Sequence, residues 1–124
     1  MLAFLTDAHM SPDVAAQVKA ERPEIVIHSL REWRDSELLR AEDDVILTAA
    51  LDERLTFVTY DQSTIAPWMV SWGAQGRDHA GVIFINWKTI DQADRGKQVR
   101  GLIALWEARH TQDWINLVEY LKAV

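Results

Sequence analysis

Residues Arg54–Thr64, RLTFVTYDQST, carry an apolar, β-branched run from Leu55 to Thr59 that stops at Asp61, with only small polar residues behind it. Such a run reads as a buried strand. The N-terminus repeats the pattern. In Met1–Pro12, MLAFLTDAHMSP, the run Leu2–Thr6 leads straight into Asp7. Two strands that both end on a carboxylate are the feature from which the rest of the chain is read.

Between and after them, helical and extended patterns alternate. Asp7–Met10 reads as a loop. Ser11 followed by Pro12 predicts an N-cap with proline at the first helical position, and a helix to about Glu21 whose inner face is Val14, Ala15 and Val18. Glu24–Leu30 reads as a second strand and Arg31–Ser36 as irregular. Leu38, Leu39, Val45, Ile46, Ala49, Ala50 and Leu51 follow helical spacing over Glu37–Arg54, with Asp43 and Asp44 where negative charge suits the dipole. After the Leu55–Thr59 strand come a helix over Ile65–Trp72 with Pro67 in its first turn, a glycine-containing loop from Gly73 to Gly81, and a fourth strand, Gly81–Trp87. A long helix from Gln92 to Arg109 follows, with Val99, Leu102, Ile103 and Trp106 along one side. Trp114, Leu117, Val118 and Leu121 again show helical spacing. This alternation predicts an α/β fold: a parallel sheet in a three-layer α/β/α sandwich, one domain over residues 1–124. In open parallel sheets functional groups gather at the carboxyl ends of the strands, so Asp7 and Asp61 are expected to converge.

Composition narrows the function. Among 124 residues there is no cysteine, which excludes disulfides and thiolate chemistry, and the net charge of −6 argues against nucleic-acid binding by bulk electrostatics. Arg31, Arg34, Arg40, Arg77 and Lys88 could still line a local basic rim. No apolar run reaches the roughly 20 residues of a membrane span. The N-terminal run has no basic segment ahead of it and is cut by Asp7, unlike a secretory leader. The expectation is a cytoplasmic protein with no membrane association.

Carboxylates at buried strand ends must be protonated, neutralised by a basic partner, or bridged by a cation. Oxygen-only ligands suit hard ions such as Mg2+ or Mn2+. Asp43 or Asp44 would supply a third acid.

The chain resembles the PIN-like nucleases, in particular a small bacterial group. The resemblance rests on Asp7 followed by Met10-Ser11-Pro12, on Asp43 with Ile46 and Ala50, on Thr59-x-Asp61, and on the step HAGVIFI into the fourth strand. It covers most of residues 2–90. It implies a PIN-like domain and a metal-dependent phosphodiesterase. Such enzymes usually act on RNA and are often the toxin of a toxin–antitoxin pair, which makes an antitoxin protein the implied partner. Asp7, Asp43 and Asp61 would hold Mg2+ or Mn2+ and carry catalysis, with Thr59 as a hydrogen-bonding brace. The pattern departs at Ala8 and Ser63, where family members often place further acids. A catalytically impaired PIN-like binding module is the corresponding alternative, and Ser63, His9, Asp44 or Asp78 could support the site.

Other residues carry weaker expectations. His28 reads as a packed strand residue, His79 as a group that could approach the strand-end site, and His110 as part of a helix C-terminus. The six tryptophans suit a core, or an interface with an antitoxin or a second copy of the chain. Trp68 and Trp72 share a helix face, and Trp33 with Arg34 is a candidate substrate contact. A receiver-like phosphoacceptor domain also ends a strand on Asp. It needs an acidic pair at the first strand end and a lysine after a fifth strand; Asp7 stands alone at the first strand end, and no strand-end lysine is expected.

Overall fold

The computed structural model describes all 124 residues. Its elements in chain order are β1 (Phe4–Thr6), α1 (Pro12–Glu21), β2 (Ile27–Ser29), a 3-10 turn (Trp33–Ser36), α2 (Asp43–Glu53), β3 (Thr56–Thr59), α3 (Gln62–Ala74), β4 (Val82–Phe84), α4 (Arg95–Arg109) and β5 (Val118–Tyr120). The strands form one all-parallel sheet in the order β2-β1-β3-β4-β5. None of the helices is long and apolar enough to cross a membrane.

Each strand of the sheet centre is apolar on both sides because both faces are covered. Phe4, Val58 and Ile83 point into one cluster with Val14 and Val18 of α1 and Val99, Leu102 and Trp106 of α4. Leu5, Phe57, Val82 and Phe84 point into the other, with Ile46, Leu47 and Ala50 of α2 and Ile65 and Trp72 of α3. Two helices therefore pack on each face, the α/β/α sandwich that the alternation predicts. The start of α1 forms as its sequence indicates, with the Ser11 Oγ accepting from the Asp13 N–H at 3.2 Å and Pro12 in the first turn.

Four expectations are corrected. The helix expected over Glu37–Arg54 is confined to Asp43–Glu53, because Glu42 is extended (φ −64°, ψ 154°) and residues 37–40 form turns. Leu38 still packs on the core, but from a turn. Helix α3 begins at Gln62, so Pro67 lies inside it, where it has no N–H to return to the Ser63 carbonyl one turn earlier. The helical spacing of Trp114–Leu121 is a coincidence of burial: Asn116 is left-handed and Val118–Tyr120 pairs with β4 as a strand. A lysine after a fifth strand therefore exists, Lys122, which is exposed and forms no ion pair.

Addition of β5 depends on Gly81. Its φ is +98°, and a Cβ there would stand 2.7 Å from the Trp114 carbonyl oxygen and about as close as contact allows to Thr56. Gly81→Ala is expected to destabilise the fold by about 2 kcal/mol or more, through both strain and the clash. Urea unfolding measures this, and a loss under about 0.5 kcal/mol would mean that the close approach is not needed.

Candidate acidic site at the switch point of the sheet

In the order β2-β1-β3-β4-β5 the chain leaves β1 toward one edge and returns through β3 toward the other. The crevice between the carboxyl ends of these two strands is where open α/β sheets bind ligands. Asp7 directly follows β1, and Asp61 comes two residues after β3. Asp43 is the first residue of α2.

Each acid is placed by a local interaction. The Asp7 N–H donates to the Val58 carbonyl at 2.9 Å, which extends the ladder by one residue. Its Oδ1 accepts from the Ala8 N–H at 2.6 Å, and its Oδ2 accepts from the Thr59 hydroxyl at 2.6 Å. The same Thr59 oxygen accepts from the Asp61 N–H at 2.9 Å. A single buried hydroxyl therefore bridges the two strand ends, the bracing role expected of Thr59. Asp61 is the N-cap of α3, its Oδ1 accepting from the Thr64 N–H at 3.2 Å and from the Ser63 hydroxyl at 3.1 Å. Its Oδ2 has no protein donor.

The electrostatics are crowded. Burial, followed by the charges of Asp7, Asp61, Glu42 and Asp44, raises the Asp43 carboxyl above its ordinary value of 3.8. None of Asp7, Asp43 and Asp61 forms an ion pair with lysine, arginine or histidine. Nor do any three acid, histidine or cysteine side chains stand close enough together to form a ready-made metal-binding group. The acids share a field without converging on one point.

Of the supporting residues, Asp44 sits beside Asp43 in the first turn of α2, with its Oδ1 on the Val45 N–H. Ser63 reaches the site through Asp61. His9 is exposed, and only its carbonyl is held, by the Gln92 amide at 3.3 Å. Asp78 and His79 precede β4 and so lie at the opposite, amino end of the sheet. Asp78 accepts from the Asn116 side chain, and the buried His79 accepts from the Gly81 N–H, its pKa lowered by burial. Neither can serve the acids. His28 is half-buried on edge strand β2, and His110 caps α4 and stacks on Trp106, as expected.

The basic rim is thinner than the sequence suggests. Arg34 is tied to Glu53 and lies 4.5 Å over the buried Trp33 ring, so this pair is structural. Arg77 stacks 3.9 Å over Trp72 beyond the far end of α3. Arg31 alone of the five contacts the acidic loops, with its Nε 2.6 Å from the Ala8 carbonyl. Arg95 and Gln92 border the same loop, and in the sequence they carry no signal beyond a position at the start of the long helix.

Two tests follow from this geometry. Thr59→Val keeps the shape but leaves the Asp61 N–H and Asp7 Oδ2 without a partner, and should cost about 1–3 kcal/mol in urea unfolding. An unchanged midpoint would remove the bridge. Asp43 holds its proton more tightly in the folded state, so between 3.8 and its raised value stability falls as pH rises. In EDTA at neutral pH, Asp43→Asn should melt above the parent, with the gap narrowing toward about pH 4. A gap that widens on acidification would contradict the crowding.

Comparison with models of protein families, with curated proteins and with solved structures finds no match to this chain.

Proposed function

We propose that this chain is a PIN-like, metal-dependent phosphodiesterase, an endoribonuclease of the toxin type that works in the cytoplasm and is held in check by an antitoxin protein. The observation that carries the reading is the meeting of Asp7 and Asp61 at the switch point through the Thr59 hydroxyl, with Asp43 at the start of α2 and no lysine, arginine or histidine paired to any of the three. Three acids in one field, unneutralised, are costly unless a cation shares the site.

The donor set fits Mg2+ or Mn2+. These ions are held by one or two carboxylates and keep several waters, so they do not need three acids already converged. Asp61 offers its free Oδ2, and Asp7 keeps unused lone pairs on oxygens that accept one hydrogen bond each. Asp43 reaches the same field from the start of α2. When bound, the ion would activate a water and offset the charge that develops on the scissile phosphate. Thr59 fixes the orientation of Asp7 and sets the backbone of Asp61 against it. Ser63 and the cap of α3 hold the Asp61 carboxylate in place.

A second reading is a binding module of the same fold that does not cleave. It is favoured by the engagement of both Asp7 oxygens and by Ala8 and Ser63 standing where further acids are expected. A phosphoacceptor reading gains Lys122 after β5 but still has a lone Asp7 at the first strand end, and its acceptor Asp61 is committed to capping α3.

Manganese titration separates them. At ten times its Kd the ion should stabilise the chain by about 1.4 kcal/mol, a rise of roughly 5 °C in Tm, and Asp61→Asn should abolish the rise. Cleavage of a labelled single-stranded RNA should need the ion and be lost in the same variant. RNA binding with no metal-induced shift would leave only the binding module.

A further inference from the structure

We infer that the groove beside the Asp7 loop, lined by His9, Ser11, Arg31, Gln92 and Arg95, is the track for the phosphate backbone of the RNA strand; this rests on the nuclease reading above. The groove has a volume of about 610 Å³ and is open and polar, with Pro12 and Ala93 completing its wall. It brings two arginines and a histidine together in a chain of net charge −6.

Arg31 is the anchor. Its Nε donates to the Ala8 carbonyl, and it forms no ion pair. The N–H of Ala8 in turn donates to Asp7 Oδ1. Two adjoining peptide units thus connect the groove to the acidic site, so a strand gripped by Arg31 passes next to Asp7. Arg95 pairs with Asp13 through Nη1 at 2.8 Å, but both side chains are more than half exposed. Exposed pairs of this kind are weak, so a phosphate can compete for the guanidinium. Helices α1 and α4 both start at the groove, at Pro12 and Arg95, with Asp13 in the first turn of α1 and Asp94 capping α4.

The lining has no phenylalanine, tyrosine or tryptophan on which a base could stack. Contacts there fall on phosphate and sugar, which position a strand without reading its sequence. The track therefore supplies affinity that depends steeply on salt and carries no base preference.

The test uses the full chain, a fluorescent single-stranded RNA, and Ca2+ in place of Mn2+ to hold back cleavage. Arg31→Ala with Arg95→Ala should weaken binding at least about tenfold. It should also lower the slope of log Kd against log salt by about 1.4, two phosphates at about 0.7 each for a single strand. Arg31→Lys with Arg95→Lys should restore most of the slope, and Arg54→Ala, an exposed arginine ahead of β3 at the opposite, amino end of the sheet, should leave it unchanged. Unchanged binding in the double alanine variant overturns the track, as does an equal loss in Arg54→Ala. The manganese-induced rise in Tm is read on the same variants. If it persists while binding ignores Arg31 and Arg95, the groove assignment fails and the metal reading stands. If it is absent from the parent while binding still needs both arginines, the nuclease reading fails and the groove remains.

Discussion

The parallel pairing of β1 with β3 is the contact on which the rest of the molecule depends. It sets Leu5 against Phe57 and Thr6 against Val58, and it brings together two strand ends whose bridging residues are 52 apart in sequence. Both strands are buried on both faces, so a slip of register would exchange the contents of the two cores. The positions of Asp7 and Thr59 are therefore fixed by hydrophobic packing that has nothing to do with their own chemistry. Loops add the remaining detail: a cap on α3, a left-handed turn ahead of α2, and a peptide held by Arg31.

That arrangement explains why acids are tolerated at these points. Backbone N–H groups and one hydroxyl are neutral donors, and they satisfy Asp7 and Asp61 without cancelling their charge. Burial first, and then the neighbouring acids, make Asp43 bind its proton more firmly than usual. A fold that wanted only stability would have used a lysine or arginine here, or an apolar side chain. Basic residues instead stand to one side, on the loop after β2 and at the start of α4.

Much of this was legible in the sequence. The β-branched runs ending at Thr6 and Thr59 marked the central strands, Ser11-Pro12 marked α1, and the strand-end positions of Asp7 and Asp61 marked the site. The unreadable parts were those decided by contacts distant in sequence. Leu38 and Leu39 keep helical spacing, yet they lie in turns that follow the left-handed run Arg34–Ser36 and are cut off from α2 by the extended Glu42. Trp114, Leu117 and Leu121 imitate a helix because one side of an irregular segment is buried; the missing side chain of Gly81, more than thirty positions earlier, lets the segment approach so that Val118–Tyr120 joins the sheet. Charges were visible as residue types, but not their partners: only the fold shows that Glu53 occupies Arg34 and that Trp72 occupies Arg77.

The two halves of the acidic site are fastened in unlike ways, and this has a consequence for motion. The Asp7 amide belongs to the central ladder, bonded to the Val58 carbonyl, and can meet solvent only when β1 parts from β3. The Asp61 amide is held by a side-chain oxygen at the lip of the sheet, and a small local opening frees it. In deuterium exchange the first amide should report the global unfolding of the protein and the second the breathing of the α3 turn. One wall of the crevice is rigid and the other is able to adjust, so accommodation of whatever enters must come from the Asp61 side.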